Sequence, residues 1–211
     1  MTRQRRWLVG CMHGLFWLLS DWEVHRKENL PAGGPLIVVF NHVAHLDGPV
    51  VIASVPWDVE VISLSDLFAV PVTGSLLRMY GAIPVHRDAC DREVLRRALQ
   101  VLAEGRVLAL APEARQSPSL ALERGREGAA YLALRSEATV VPIGLTGTEA
   151  VPAALKHLRR PRVVVNIGPS FRLDGPLVQG TQRHAQLRAA NDTIMRRIAN
   201  LLPQRYRGVY A

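Results

Sequence analysis

The hydrophobic positions along the chain fall into two alternating rhythms. Leu36, Ile37, Val38, Val39 and Phe40 form an unbroken apolar run. A short run of this kind, rich in β-branched residues, reads as a strand buried on both faces. Comparable runs at 59–64, 82–85, 107–110, 139–145 and 162–167 read as further strands. Between them lie stretches with helical spacing at 48–54, 72–80, 91–103 and 127–136, and a long basic one at 181–202 closed by Pro203. The punctuation agrees: Asp47 stands where a helix cap is expected, Pro49 suits a first turn, and Gly105 follows the end of a helix. Strands alternating with helices predict an α/β fold, a single domain with a largely parallel central sheet flanked by helices. No internal repeat or low-complexity linker interrupts it.

The first 22 residues follow neither rhythm. Arg3, Arg5 and Arg6 precede an apolar stretch at 7–19, and three of the chain's four tryptophans, Trp7, Trp17 and Trp22, fall in this segment. At about 1.5 Å per residue the stretch reaches roughly 20 Å, short of the roughly 30 Å hydrocarbon core of a bilayer. No small-residue cleavage site follows; Asp21, Trp22 and Glu23 do. Flanking arginines with aromatics predict a helix lying at headgroup level on an anionic membrane surface. The alternative is an ordinary amphipathic helix packed on the domain. The expected organisation is therefore a membrane-interfacial helical segment over residues 1–22 and one domain over 23–211.

Composition narrows the partners. The chain has 211 residues, enough for one full core, with 48% hydrophobic and 21% charged residues. Its 26 Lys and Arg against 18 Asp and Glu give a formal charge of +8. A basic surface draws anions, so nucleic acid, anionic lipid and phosphorylated substrates all come into view. Nucleic acid fits poorly, because the aromatics gather in the N-terminal segment instead of interleaving with basic residues along a groove. Cys11 and Cys90 make neither a disulfide framework nor a four-ligand zinc site, which fits a reducing compartment.

The strand at 36–40 delivers Asn41, His42, Val43, Ala44, His45, Leu46 and Asp47. Strand ends that lead into helices often carry chemistry, because the scaffold is rigid and the tip open. On one regular helix a spacing of five sets His42 and Asp47 about 140° apart, so they can meet only if a loop folds the carboxylate back onto the imidazole. Asp47 would then fix the tautomer and stabilise the imidazolium, leaving the other ring nitrogen to take a proton. No serine or cysteine adjoins the pair, so the base would act directly on a substrate hydroxyl. His42, His45 and Asp47 as metal ligands, and Asp47 as a mere helix cap, are the alternatives; the spacing fits none of the usual zinc patterns.

Four segments in order strengthen the enzymatic reading. Asn41-His42 with Asp47 four residues further on, Gly81-Ala82-Ile83-Pro84-Val85-His86-Arg87, Pro112-Glu113-Ala114-Arg115-Gln116-Ser117, and Val140-Val141-Pro142-Ile143-Gly144 resemble the four motifs of the 1-acylglycerol-3-phosphate acyltransferase family. The resemblance covers about residues 22–210. It implies transfer of a fatty acyl group from a thioester, of coenzyme A or acyl carrier protein, to the sn-2 hydroxyl of a lysophospholipid acceptor, 1-acylglycerol 3-phosphate, giving phosphatidic acid. It implies His42 and Asp47 as the catalytic pair, and Asn41, Arg87, Glu113 and Arg115 at the substrate, with Arg87 gripping phosphate and Glu113 holding a glycerol hydroxyl or orienting Arg87. It implies no cofactor and a place on the cytoplasmic face of the membrane. The third motif departs from the usual Pro-Glu-Gly-Thr-Arg-Ser: Ala114, Arg115 and Gln116 replace Gly, Thr and Arg, which shifts the arginine by one residue. Arg124 and Arg126 lie just beyond. Another acceptor such as glycerol 3-phosphate, a thioesterase, and a non-catalytic lipid-binding protein are the competing functions.

Overall fold

The computed structural model describes residues 2–86 and 92–211, so Arg87 and Cys90 lie outside the described residues. Among the described residues seven strands form one sheet: β1 Asp21–His25, β2 Leu36–Phe40, β3 Val59–Leu64, β4 Ile83–Val85, β5 Val107–Leu110, β6 Thr139–Thr146 and β7 Arg162–Ile167. Their order is β1-β7-β6-β2-β5-β3-β4. Every neighbouring pair is parallel except β6 with β7. Among the described residues seven α-helices complete the fold: α1 Arg3–Leu19, α2 Asp47–Ser54, α3 Pro71–Tyr80, α4 Arg92–Ala103, α5 Gly128–Ser136, α6 Val151–Lys156 and α7 Arg183–Ala199.

The central strand β2 explains the layering. Its five residues are all buried, and successive side chains point to opposite faces. Ile37 and Val39 pack with Ala98, Leu102, Leu132, Ile194 and Ile198 from α4, α5 and α7. Leu36, Val38 and Phe40 pack with Val50, Val51 and Val151 from α2 and α6, and with Phe16 of α1. A helical layer on each face is what an uninterrupted apolar strand requires.

The strands and helices read from the hydrophobic pattern are present, with ends shifted by a few residues. Two elements were not legible. Strand β1 lies at the sheet edge, where only Trp22 and Val24 in Asp-Trp-Glu-Val-His are apolar, and it pairs with β7 from a distant part of the chain. It runs across the expected boundary at residue 22. Helix α6 is too short for its periodicity to register. Asp47 is also not a cap: it is the first residue inside α2, and Leu46 takes the cap position.

Helix α1 packs on α2 and α3 and is part of the same folded body. Its inner face buries Leu8 and Phe16. Arg5 grips Glu60 through Nη1 at 2.6 Å and Nη2 at 2.8 Å, and donates from Nε to the carbonyl of Tyr80 at 2.6 Å. At the other end Arg160 donates to the carbonyls of Trp17 and Ser20, closing off the helix. Among the described residues no helix is long and apolar enough to cross a membrane.

Candidate active site

Because β5 and β6 flank β2 in parallel, all three strands end at the same edge of the sheet. The loops leaving them therefore converge, and each brings one part of the site.

The loop after β2 folds the carboxylate back as its sequence demands. Asp47 is wholly buried, and its Oδ2 accepts from His42 Nδ1 at 2.9 Å, from the Val43 N–H at 2.6 Å and from the Ala44 N–H at 2.7 Å. Its place in the first turn of α2 adds the favourable end of the helix dipole for a negative charge. A carboxylate can only accept here, so His42 Nδ1 carries a proton and Nε2 is the ring nitrogen left to meet a substrate. The side chain of His42 remains 26% exposed, with the ring edge-on to Phe40. The pair is thus an imidazole partly open to solvent with a buried carboxylate behind it. His45, in contrast, is exposed. Among the described residues no group of three His, Cys, Asp or Glu side chains gathers that could hold a metal ion.

The loop after β5 locks the backbone of His42 from both sides. Glu113 Oε1 accepts the His42 N–H at 3.0 Å, and the Ser117 N–H donates to the His42 carbonyl at 2.8 Å. Glu113 Oε2 accepts the Glu123 N–H at 2.8 Å. Burial pushes the Glu113 carboxyl up to about 6, against the pull of these two backbone donors. With one backbone donor on each oxygen and the residue buried, Glu113 holds the loop to His42. Asn41 is similarly taken up: its Nδ2 donates to the Leu145 carbonyl at 3.0 Å, and its Oδ1 accepts the Leu145 N–H at 2.7 Å. It is buried and extends the β2–β6 pairing by one side-chain rung, next to His42 in the chain.

The turn at Ala114 has a left-handed backbone, φ 55°. A glycine adopts this without a steric penalty, whereas alanine pays roughly 1–2 kcal/mol. The turn projects Arg115 outward, 56% exposed, where Nε and Nη2 hold the carboxylate of Glu123 at 2.7 and 2.5 Å. Arg124 and Arg126 are exposed on the same segment. Arg87, expected at the phosphate, lies outside the described residues.

The third contribution was not anticipated. Thr148, fully buried just after β6, donates its hydroxyl to Asp47 Oδ1 at 2.5 Å. The only sequence signal was its position at a strand's carboxyl end.

The sequence model described as Acyltransferase matches residues 21–146, more than half of the chain and the segment that carries β1 to β6. The chain belongs to the acyltransferase family. Among its relatives, a 1-acyl-sn-glycerol-3-phosphate acyltransferase of Bacillus subtilis is 25% identical over 201 residues, spanning 92% of this chain and 98% of that protein. A chloroplastic 1-acyl-sn-glycerol-3-phosphate acyltransferase of Arabidopsis thaliana is 32% identical over 124 residues, 57% of this chain but only 35% of the plant protein. This acyltransferase therefore matches about a third of the length of its plant relative. The crystal structure of the 1-acyl-sn-glycerophosphate acyltransferase PlsC from Thermotoga maritima shares the fold, with a TM-score of 0.64 at 21% identity over 90% of this chain and 79% of that one.

Proposed function

We propose that this acyltransferase esterifies the sn-2 hydroxyl of 1-acylglycerol 3-phosphate with a fatty acyl group from an acyl thioester, forming phosphatidic acid for phospholipid biosynthesis. The observation that carries the reading is the His42–Asp47 pair, a partly exposed imidazole backed through Nδ1 by a buried carboxylate. His42 Nε2 takes the proton of the acceptor hydroxyl as its oxygen attacks the thioester carbonyl. Asp47 stabilises the resulting imidazolium. Collapse of the tetrahedral adduct breaks the carbon–sulfur bond, and the proton on His42 goes to the departing thiol. The steps need no resident cofactor; coenzyme A or acyl carrier protein is a carrier belonging to the substrate.

Arg115, together with Arg87, serves the acceptor phosphate. A guanidinium binds phosphate through two parallel N–H donors, and Arg115 already presents that edge to Glu123. Arg115→Ala is expected to lower kcat/KM for lysophosphatidic acid about ten- to a hundredfold, because the contact is lost and Glu123 is left uncompensated beside the phosphate. Steady-state kinetics on lysophosphatidic acid and on a neutral monoacylglycerol makes the comparison. Equal slowing on both acceptors, or on neither, removes the phosphate-binding role. The Arg115–Glu123 pair also favours a second reading, a different lysolipid acceptor, since an arginine already neutralised offers less charge to a phosphomonoester. A preference for a zwitterionic or neutral lysolipid in the same assay selects it.

The surface of α1 supports a peripheral or monotopic place on an anionic bilayer, which we assign to the cytoplasmic face. Trp7 is 63% and Trp17 73% exposed, with Leu15 and Leu18 also exposed, and Val72 and Leu76 of the adjoining α3 add to the apolar surface. Arg3 and Arg6 are exposed at its N-terminal end. Deleting α1 would uncover the core beneath Leu8 and Phe16, so the clean variant is a triple one, Trp7→Ser, Trp17→Ser and Leu18→Ser. It is expected to fold normally and to sediment with phosphatidylglycerol-containing liposomes at least tenfold more weakly, since each buried apolar side chain contributes about 1.5–3 kcal/mol. Unchanged liposome binding at low and moderate salt rules the surface out.

A further inference from the structure

The two oxygens of Asp47 are held unequally. Oδ2 carries three donors, His42 Nδ1 and the N–H groups of Val43 and Ala44. Oδ1 is held from across the sheet edge by the hydroxyl of Thr148. Neither side chain has any solvent exposure. The hydroxyl's role is fixed by chemistry: the carboxylate can only accept, so Thr148 donates.

The chain is built to put Thr148 there. Gly147 has φ 88°, and a Cβ on it would stand 2.0 Å from the carbonyl oxygen of Arg162. Only glycine makes this turn so close to β7, and the turn swings Thr148 back toward α2. The next residue anchors the turn on its far side, where the Tyr206 hydroxyl donates to Glu149 Oε1 at 2.5 Å. The carbonyl of Tyr206 in turn accepts the Leu122 N–H at 2.8 Å, in the loop that Glu113 ties to His42. The charge partner of the base is thus braced by a turn that none of the four motifs contains.

We propose that Thr148 is a positioning residue for the His42–Asp47 pair, holding the Asp47 carboxylate in the rotation that presents Oδ2 to the imidazole. Rotation about the bond to a carboxylate is soft, so an anchor on the second oxygen is what keeps a triply loaded first oxygen aimed at the ring. Thr148 acts through Asp47 and touches no substrate. The inference rests on His42 being the base.

The test uses the full chain and compares Thr148→Val, which keeps the shape and removes the donor, with Thr148→Ser, which keeps the hydroxyl. Turnover is followed with an acyl thioester and lysophosphatidic acid, and folding by thermal unfolding. Thr148→Val is expected to lower kcat about ten- to a hundredfold, with KM for both substrates within about twofold of wild type, and Thr148→Ser to restore kcat to within a few-fold. In a His42→Ala background the valine substitution is expected to change the residual rate by less than twofold. Wild-type kcat in folded Thr148→Val, a raised KM at unchanged kcat, or equal loss in the valine and serine variants overturns the proposal. If Thr148→Val does not fold, Thr148→Ser against Thr148→Ala makes the same comparison, and equal kcat in those two overturns it. His42→Ala run in parallel separates the failures: an active His42→Ala protein removes the base itself, whereas an inactive one beside a fully active Thr148→Val protein removes only the role of Thr148.

Discussion

Replacing His42 with alanine is expected to slow acyl transfer about 10²–10⁴-fold while the protein remains folded. The imidazole packs only edge-on against Phe40 and is partly open to solvent, so its loss leaves little cavity. The main chain at this position is held independently of the ring, by Glu113 at the N–H and by Ser117 at the carbonyl. Asp47 also keeps three donors, the Val43 and Ala44 N–H groups and the Thr148 hydroxyl, and so stays satisfied. The variant therefore removes the proton acceptor and little else. Thiol release from an acyl thioester, measured beside a thermal unfolding curve, gives the answer. A folded His42→Ala protein that keeps more than about a hundredth of wild-type turnover does not use this histidine as its general base.

Asp47→Asn is expected to cost about 10²–10⁴-fold in kcat, again without loss of the fold. The asparagine oxygen can take the place of Oδ2, where three donors converge. Its amide nitrogen then faces Thr148, whose hydroxyl can turn and accept instead of donating. The hydrogen bonds survive and the charge disappears, so the imidazolium formed during transfer loses its counter-charge. Asp47→Ala behaves differently. It strands the Val43 and Ala44 N–H groups and the Thr148 hydroxyl in a dry site at about 1–3 kcal/mol each, so it is expected to lower the melting temperature as well as the rate. Near-wild-type kcat in folded Asp47→Asn reduces Asp47 to an anchor for the start of α2.

Where a signal was local, the sequence carried it. The run at 36–40 specified a strand buried on both faces because no polar residue interrupts it, and the central position of β2 follows from that. The residues after it pointed to a site only in company: a histidine and an aspartate five apart are a weak signal alone, and the three further motifs in order gave it weight. Edge strand β1 escaped notice because two apolar residues in five are too few to mark it, and what fixes it is pairing with β7, well over a hundred residues away. The N-terminal helix was legible as apolar and basic, but its two faces were not. Which residues meet the protein and which meet its surroundings depends on where α2, α3 and Glu60 lie.

The roles of the polar residues divide the same way. By itself the sequence determined the alternating α/β pattern, the family resemblance and the His42–Asp47 candidates, because apolar periodicity and residue spacing are properties of neighbours in the chain. Only the tertiary structure decided that Asn41 pairs with Leu145, that Glu113 holds the backbone of His42, that Arg115 meets Glu123, and that Thr148 braces Asp47. A hydrogen-bonding side chain carries the same letter whether it faces substrate or a buried carbonyl. Its partner is chosen by which strands lie side by side, and it was the placing of β5 and β6 on either side of β2 that brought these loops to one edge.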